Sequence, residues 1–226
     1  MPESFLHIPG LLKKEELEQI DQLSANARFI DGRSTASMAA KEVKNNMQLD
    51  AADQEHIGPI HQIIGNALMS SPLFQAAVMP KYIYPFIISQ YGQGMFYGWH
   101  VDSPIMGNPP IRTDVAMTIF LSDPETYTGG ELVLQAGGQI VSFKPAKGDA
   151  VVYPCQYLHC VNEVKEGTRK AAVTWIQCGV REPAQRKILF DLSQAHQLLL
   201  QKNMHAPENN LLLQCYSNLV RMWAEG

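Results

Sequence analysis

The sequence predicts an α+β protein whose mainly β core, a sandwich or jelly roll, is flanked by helices at both ends. Two observations lead to this prediction. Residues 81–180 contain short β-branched and aromatic runs separated by glycine-containing turns. Residues 1–80 and 181–226 instead repeat apolar side chains at helical spacing. We therefore predict an N-terminal helical support region over 1–80, a β core over 81–180 and a C-terminal helical hairpin over 181–226.

Composition and charge narrow the class of protein. The 226 residues are 46% hydrophobic and 18% charged, as in an ordinary globular protein with one sizeable core. The net charge of −4, with no Lys/Arg run longer than two, argues against a nucleic-acid partner. The four cysteines form no Cys-x-x-Cys pair, and no apolar run approaches the length of a membrane span. Because the first residues also lack signal-peptide features, we expect a cytoplasmic protein without a membrane partner.

The first eighty residues contain patterns for three helices. Apolar side chains at helical spacing predict helices over Leu11–Asn26 and Asp50–Met69, with a kink or restart at Gly58–Pro59. Ser71–Pro72 has the pattern of an N-cap followed by proline at the first helical position, which predicts a short helix to Ala77. The segment Met38–Leu49 has no clear type.

Strand-like runs begin with Phe5–Pro9 and dominate from Lys81 onward. In the run Tyr82–Tyr91, Pro85 favours an edge position, because proline cannot donate a ladder hydrogen bond. The other predicted strands are Val115–Leu121, Gly130–Gln135, Ile140–Lys144, Asp149–Tyr153, His159–Val164 and Arg169–Val180. After residue 181, leucines at helical spacing predict two helices, the second of which begins at Pro207.

A His-x-Asp pattern ends the stretch Tyr91–Asp102. Residues two apart on a strand point to the same face, so His100 and Asp102 can offer an imidazole nitrogen and a carboxylate oxygen to one metal ion. A third ligand would complete the two-His, one-carboxylate triad that holds non-haem Fe(II) with positions left open. Three-residue patterns occur by chance in most chains, so the metal prediction depends on that third ligand.

His159 is placed to be that ligand, because it begins a predicted strand of the β core. The other histidines lie in helical or terminal segments, where we expect surface or packing roles: His7, His56, His61, His196 and His205. Spacing alone leaves a metal ligand and a half-buried strand histidine equally open. Arg169 favours the metal site, because an arginine that enters an apolar strand is costly to bury unless it meets an anion.

The strand that begins at Arg169 also has the right face for such an anion. Ala171, Val173 and Trp175 share the face of Arg169 by strand parity. This face is apolar apart from the guanidinium group. It therefore suits a carboxylate on an apolar stem, whereas an exposed arginine at a strand edge is the alternative.

The combined pattern resembles the Fe(II)- and 2-oxoglutarate-dependent dioxygenases of the prolyl and lysyl hydroxylase type. It consists of Tyr91-x-x-Gly94-x-x-Tyr97-x-x-His100-x-Asp102, then Gly129-Gly130-Glu131-Leu132, His159 and Arg169. The segments Phe29–Ala36 and Val43–Leu49, and the terminal Tyr216–Glu225, are similar to the bacterial PKHD-type hydroxylases, which carry a helical tail of this kind. The resemblance extends over nearly the whole chain, with its parts in the right order.

This resemblance implies a double-stranded β-helix and a defined set of site residues. Iron would be held by His100, Asp102 and His159, and Arg169 would bind the distal carboxylate of 2-oxoglutarate. Three further positions match the cosubstrate contacts and pocket walls of related hydroxylases: Tyr91, Val161 and Trp175. The implied cofactor set is Fe(II), 2-oxoglutarate as cosubstrate, O2, and L-ascorbate as the reductant.

Phe120 departs from this pattern. Some hydroxylases of this type carry at this position a tyrosine that hydrogen-bonds the distal carboxylate, and phenylalanine has no donor. Thr118, two residues away on the same face, and Thr168 are the candidate substitutes.

The implied reaction is hydroxylation of a substrate with release of succinate and CO2. Asp102 favours hydroxylation, since related halogenases lack this carboxylate. A nucleic-acid demethylase is an alternative on the same scaffold, but such enzymes usually carry a second arginine six residues after the first, where this chain has Trp175. A non-catalytic iron or 2-oxoglutarate sensor needs the same ligands and stays open. A zinc-bearing cupin-like module would require neither Arg169 nor Tyr91.

The substrate is the least constrained part of the prediction. The resemblance points to peptidyl proline or lysine, while the link of the bacterial relatives with iron uptake favours a small siderophore-like molecule. Both a peptidyl and a small-molecule substrate therefore stay open. The apolar, proline-rich segment Ser103–Ile111 is predicted to form the rim or a lid of the substrate mouth. The leucine-rich C-terminal hairpin is predicted either to pack on the core or to form a homodimer.

Overall fold

Two large β-sheets and five α-helices make up the described part of the chain, which is residues 5–35 and 41–225 of a computed structural model. The helices are α1 (Lys14–Asn26), α2 (Gln54–Met69), α3 (Pro72–Val78), α4 (Pro183–Lys202) and α5 (Glu208–Trp223). None of these helices is long and apolar enough to cross a membrane.

The strands cluster in the middle of the chain, as the sequence predicts. Before residue 92 they are β1 (Leu6–Ile8), β2 (Phe29–Asp31), β3 (Lys44–Asn45), β4 (Met47–Leu49), β5 (Pro80–Ile83) and β6 (Ile87–Tyr91). The following strands are β7 (Phe96–His100), β8 (Ile105–Met106), β9 (Ile111–Arg112), β10 (Val115–Phe120), β11 (Tyr127–Gly129) and β12 (Leu132–Ala136). The last are β13 (Gln139–Phe143), β14 (Ala150–Pro154), β15 (Leu158–Val161), β16 (Val164–Gly167) and β17 (Arg169–Cys178).

The two large sheets are antiparallel. One has the order β1-β14-β10-β17-β6-β4-β2, with β5 also paired to β17, and the other has the order β13-β12-β15-β7-β3. Short pairs β11-β16 and β8-β9 complete the arrangement. The order jumps repeatedly along the chain, as in a jelly roll. The predicted α+β jelly roll with flanking helices is therefore confirmed.

Strand β10 shows why the core has two compartments. All six of its residues are buried, and alternate side chains point to opposite faces. Val115, Met117 and Ile119 pack in the cluster that includes the apolar faces of α1–α3. Ala116 and Phe120 pack instead in the cluster between the two sheets. The second compartment is the one that holds the site.

Proline decides the beginning of α3 but does not interrupt α2. The Ser71 hydroxyl accepts a hydrogen bond from the Phe74 backbone N–H at 3.3 Å, and Pro72 is the first helical residue, as predicted. Helix α2, in contrast, continues through Pro59, so the predicted restart there is wrong. The buried face that includes Ile60 and Ile64 holds this helix against the sheet despite the missing N–H.

The position predicted for Pro85 is also wrong. Strand β6 is internal, between β17 and β4, and Pro85 lies in the gap of three residues between β5 and β6. Both of these strands pair with β17, and the Tyr84 backbone N–H bridges the gap to the Trp175 carbonyl at 2.8 Å. Proline is tolerated there because no ladder hydrogen bond is lost.

The N-terminal region contributes strands as well as helices. Strands β1, β2 and β4 extend the larger sheet, and β3 adds an edge to the smaller one. The segment without a clear type, Met38–Leu49, contains β3 and β4, and its residues 38–40 lie outside the described part of the chain. The domain division at residues 80 and 180 stays a prediction.

The C-terminal helices form the predicted hairpin and are attached at one point by a buried arginine. Arg186 in α4 donates from Nη1 to the carbonyls of Val180 and Arg181, at 2.7 and 2.6 Å. Leu189 is fully buried on the same helix, and Phe190 packs against the main core. The first half of α4 therefore lies on the jelly roll.

Candidate active site

His100 and His159 face each other across the pair of strands β7 and β15. They are directly paired in the register, and their ring centroids lie 4.2 Å apart. Asp102 joins them, so that one ligand atom from each of the three residues lies within 4.8 Å of the others. Within the described residues this is the one cluster of histidine, cysteine or acidic side chains with such spacing. The fold thus brings the three predicted ligands together.

Asp102 reaches the cluster from beyond the end of a strand. Strand β7 ends at His100, so the strand parity that we expected for His-x-Asp does not apply to Asp102. The Asp102 carboxylate is nevertheless buried, with Oδ2 3.7 Å from Nε2 of His159 and without a hydrogen-bond partner. A buried carboxylate oxygen of this kind is costly unless a cation meets it.

Both histidines present Nε2 to the cluster. His100 Nδ1–H donates to the Gly98 carbonyl at 2.8 Å, and His159 Nδ1–H donates to the Tyr157 carbonyl at 3.0 Å. These acceptors fix the tautomer that leaves the Nε2 lone pair free for a metal. The Tyr97 ring stacks on His100 at a centroid distance of 3.6 Å and an interplanar angle of 15°. The ring of this ligand is therefore held in orientation from two sides.

Burial sets the charge state of the cluster. Burial, and after it the neighbouring His159, lowers the pKa of His100 to about 3. Burial also raises the pKa of Asp102, while His159 and the indole N–H of Trp175 oppose that rise. Two neutral imidazoles and one carboxylate are the donor set that suits Fe(II). The residues therefore fit a divalent metal ion.

Arg169 is a buried cation without a protein anion beside it. It is 1% exposed, and its Nε and Nη2 have no hydrogen-bond partner among the described residues. Its Cζ lies 5.1 Å from the centroid of the Tyr91 ring and 5.5 Å from that of the Phe120 ring. Stacking on two rings leaves the guanidinium edge available, so the group fits a carboxylate.

The Gly129–Gly130 pair makes room for this arginine. Both glycines have positive φ, and a Cβ on Gly129 would lie 2.1 Å from the Glu163 carbonyl oxygen. A Cβ on Gly130 would lie 3.1 Å from Cδ of Arg169. Glycine is therefore required at both positions, because a side chain there would collide with Arg169 or with the bulge in β11. This requirement explains why the Gly-Gly motif belongs to the site although it is far from Arg169 along the chain.

The metal cluster and Arg169 line one inner chamber between the sheets. The chamber also contains all the other predicted site residues, namely Tyr91, Thr118, Val161 and Trp175, together with Val173. Phe120 lies beside Arg169, as described above. Thr168 is exposed and does not line the chamber, so the predicted alternative to Thr118 is wrong. Arg169 is the first residue of strand β17, so its side chain points into the chamber. Thr168 precedes the strand and stays outside.

Sequence reasoning missed four polar residues of the chamber, which are Lys44, Gln48, Ser89 and Tyr153. Tyr153 in β14 is buried and shares the chamber with Thr118, whose side chain opposes the rise that burial causes in the pKa of Tyr153. Its parity with Val151 was a usable signal, but only the pairing of β14 with β10 shows that this face meets Thr118. Lys44 in β3 also lines the chamber. No signal pointed to it, because the segment around it had no clear type.

The other histidines with described hydrogen bonds are bonded elsewhere. His7 contacts Asp149 at 2.8 Å, His56 contacts Asp53 at 2.8 Å, and His61 contacts the Phe86 carbonyl at 2.8 Å. The His7 and His61 contacts join neighbouring elements of the fold, and the His56 contact lies within the first turn of α2. They are packing contacts on the outside of the jelly roll.

An outer pocket adjoins the inner chamber and shares His100, Asp102 and Trp175 with it. Ser103 and Met106 line this outer pocket, and they belong to the segment 103–111, which forms the β8–β9 hairpin. The segment therefore lies at the rim of the site. Movement of this hairpin as a lid stays a prediction.

Comparison with known proteins gives the same family over both parts of the chain. The 2OG-Fe(II) oxygenase superfamily matches residues 86–177, and the PKHD-type hydroxylase C-terminal domain matches residues 184–225. A PKHD-type hydroxylase from Acaryochloris marina is 41% identical over 97% of this chain and 99% of its own length. Another, from Thermosynechococcus vestitus, is 41% identical over 97% of this chain and 99% of its own.

Solved structures share the fold at low sequence identity. A prolyl hydroxylase from Trichoplax adhaerens, in complex with a hypoxia inducible factor peptide fragment, is 16% identical with a TM-score of 0.56, covering 77% of this chain and 84% of that one. HygX from Streptomyces hygroscopicus, with nickel, 2-oxoglutarate and hygromycin B bound, is 14% identical with a TM-score of 0.55, covering 77% and 82%. The chain belongs to the PKHD-type hydroxylases, which are 2-oxoglutarate-dependent oxygenases of the 2OG-Fe(II) superfamily.

Proposed function

We propose that the chain hydroxylates its substrate with Fe(II) held by His100, Asp102 and His159 and with 2-oxoglutarate bound by Arg169. The observation that carries this proposal is the unpartnered guanidinium edge of Arg169 in the same chamber as an unpartnered Asp102 oxygen. The guanidinium group requires an anion, and the carboxylate oxygen requires a cation. A metal ion with a dicarboxylate cosubstrate satisfies both at once.

The bound iron and cosubstrate supply the oxidative chemistry, in which one oxygen atom of O2 enters the substrate and the other enters succinate, with release of CO2. The protein supplies position and charge. His100 and His159 offer neutral Nε2 atoms whose direction is fixed through their Nδ1 hydrogen bonds. Asp102 offers the negative charge, and the indole N–H of Trp175 stabilises the ionised form of that carboxylate.

The cosubstrate site combines Arg169 with two hydroxyl groups. Phe120 cannot donate to the distal carboxylate, whereas Thr118 and Tyr153 both line the same chamber. Burial raises the pKa of Tyr153, and the positive charge of Arg169 opposes this rise. An anion bound between the two residues would therefore interact with both. Thr118 and Tyr153 therefore replace the missing tyrosine. Tyr91, Val161 and Trp175 form the walls.

Anaerobic spectroscopy tests this function directly. Fe(II) and 2-oxoglutarate added together to the protein should produce a visible charge-transfer band, and subsequent exposure to O2 should convert 2-oxoglutarate to succinate. A protein that gives the band but no succinate with any substrate would be a sensor of iron or 2-oxoglutarate. A protein that gives no band does not bind the cosubstrate to iron, and the proposal fails.

The demethylase alternative has its own test. The side chain six residues after Arg169 is Trp175, and the chain carries a net charge of −4. We therefore expect no salt-dependent retention on single- or double-stranded DNA or on RNA. Retention that weakens steeply with salt would favour the demethylase instead.

The substrate, the reductant and the cell compartment are proposed from the family resemblance. We infer a cytoplasmic enzyme kept active by L-ascorbate, whose substrate is a small molecule connected with iron uptake. Profiling of cell extracts with and without the enzyme tests the substrate class. Modification of peptides alone would contradict the small-molecule proposal.

The C-terminal helices carry the proposed homodimer contact. Several large apolar side chains on α4 and α5 are exposed, including Leu198, Leu211, Leu213 and Met222. We infer that two copies cover these residues mutually. Sedimentation velocity of the wild-type chain and of the Leu211→Lys, Leu213→Lys variant tests this, since a wild-type monomer would contradict it.

A further inference from the structure

Lys44 is a second buried cation at the site. It pairs with Tyr97 across the contact of β3 with β7, and it is 5% exposed. Its Nζ lies 5.2 Å from the centroid of the Tyr97 ring and donates to the Thr35 hydroxyl at 3.0 Å. His100 stacks on the same Tyr97 ring. Lys44 and a metal ligand therefore contact one aromatic ring in common.

No acidic side chain neutralises this lysine within the described residues. The negative charge of Asp31 raises the pKa of Lys44, but the Asp31 carboxylate does not lie within ion-pair distance of Nζ. Residues 36–40, which fall outside the described part, have the sequence Ala-Ser-Met-Ala-Ala and include no acid. The Thr35 hydroxyl that accepts from Lys44 donates in turn to Gln48 Oε1 at 2.7 Å. An ammonium group has three donors, so Thr35 satisfies only one of them.

Lys44 lies apart from Arg169, the residue that we assign to the cosubstrate. Arg169 lines the inner chamber but not the outer pocket, whereas Lys44 lines both. The distal carboxylate of 2-oxoglutarate is directed to Arg169 in the proposed function. An anion that meets Lys44 would instead enter from the outer pocket, on the side from which a substrate approaches.

The outer pocket has an apolar part beside the polar groups of the metal cluster. Ile87, Val101, Met106 and Trp175 form this apolar part, and Ile105 at the rim is 61% exposed. A ligand that matches this surface has an apolar body and one negative group close to the reacting end. The Lys44 ammonium group has no ion-pair partner among the described residues, and only part of its hydrogen-bonding capacity is used. A carboxylate is a compact anion that such a group can bind without the bidentate geometry of arginine.

We propose that Lys44 and the outer pocket form a subsite for a carboxylate of the substrate, carried on an apolar stem. This proposal rests on the proposed function, because it names the substrate class of that same site. It goes beyond the cosubstrate chemistry, since Lys44 would select the molecule to be hydroxylated.

The test uses matched pairs of probes on the anaerobic Fe(II)–2-oxoglutarate complex at saturating 2-oxoglutarate. Octanoate and 3-phenylpropanoate are titrated against their primary amides, octanamide and 3-phenylpropanamide, and changes in the charge-transfer band report binding. We expect each acid to bind at least tenfold more tightly than its amide. Equal binding of acid and amide, or no response to either acid, overturns the proposal without any variant.

Variants then assign the preference to Lys44. Lys44→Met should abolish the preference for acids, Lys44→Arg should keep part of it, and Lys165→Met, which removes an exposed lysine of β16, should leave it intact. If Lys44→Met weakens 2-oxoglutarate itself and leaves the acid preference in place, Lys44 belongs to the cosubstrate site and the proposal is overturned. A wild-type protein without the charge-transfer band would contradict the proposed function instead.

Discussion

His159 lies directly opposite His100 in the pairing of β15 with β7, with the two ring centroids 4.2 Å apart. Two imidazoles at this distance in a buried chamber cannot both be protonated without strong repulsion. Burial, and after it the neighbouring His159, lowers the pKa of His100 to about 3, so the His100 ring is neutral at physiological pH and can bind metal. The same cross-strand contact positions the remaining ligand, since Asp102 follows His100 by only two residues.

Removal of Asp102 should separate metal binding from folding. Asp102→Ala should abolish the anaerobic charge-transfer band and the rise in melting temperature that Mn(II) or Fe(II) produces by mass action. Without metal, the variant should be at least as stable as the wild type, because burial disfavours the charged Asp102 carboxylate more than His159 and Trp175 stabilise it. Thermal unfolding with and without metal measures both effects, and Asp123→Ala, at an exposed position, is the control. A full-strength band in Asp102→Ala would remove this residue from the ligand set.

Replacement of Arg169 should weaken the cosubstrate more than the metal. Arg169→Gln should reduce 2-oxoglutarate affinity by about 2–5 kcal/mol, the usual effect of deleting one partner of a buried charged hydrogen bond. Titration of the charge-transfer band measures this, and Arg221→Gln, at an exposed position on α5, should have no effect. Unchanged affinity in Arg169→Gln would assign the distal carboxylate to another residue.

The Thr118–Tyr153 pair should contribute a smaller, shared effect. Tyr153→Phe and Thr118→Val should each weaken 2-oxoglutarate by about 0.5–1.5 kcal/mol, which corresponds to one hydrogen bond. The double variant should lose less than the sum, because the two side chains line one chamber on adjacent, paired strands. The same titration gives the three values, with Tyr82→Phe, at an exposed position, as the control. Additive losses would show that the hydroxyls act independently.

The pH dependence of carboxylate binding should report Lys44. Burial lowers its pKa to about 8, against an opposing effect of Asp31. The group is therefore charged below pH 8 and loses its proton above it, so the affinity for 3-phenylpropanoate should be constant near pH 7 and fall above pH 8. The limiting slope is about tenfold per pH unit, one proton per anion bound. Lys44→Arg should have a flat profile, since arginine stays charged. A profile that falls equally in this variant would exclude Lys44 as the titrating group.

Thiol labelling should distinguish the exposed Cys215 from the three buried cysteines. Cys155, Cys160 and Cys178 are buried, and burial raises the pKa of Cys178 to about 12, so these thiols are shielded and protonated. Cys215 on α5 is exposed. Native protein should therefore react rapidly with one equivalent of 5,5′-dithiobis(2-nitrobenzoate), and denatured protein with four. Cys215→Ser should remove the rapid phase, and rapid labelling that persists in this variant would show that a core strand opens.

Local patterns in the sequence predicted the elements because each pattern depends on nearby residues. The Ser71–Pro72 cap, the helical faces and most strands of the β core follow from neighbours within a few positions. The failures at Pro59 and Pro85 have one cause. Proline forbids a hydrogen bond at its own nitrogen, but packing and pairing partners elsewhere in the chain decide whether the element continues.

The sequence by itself determined the donor set: two histidines, one aspartate and an arginine in a pattern typical of one family. Only the tertiary structure decided that Tyr153 shares the chamber with Thr118 and that Lys44 lies against Tyr97. Tyr153 and Thr118 lie on paired strands 35 residues apart, and Lys44 and Tyr97 are 53 apart. Spacing along the chain carries no information about such contacts, because the pairing of β14 with β10 and of β3 with β7 is fixed by the packing of the whole jelly roll.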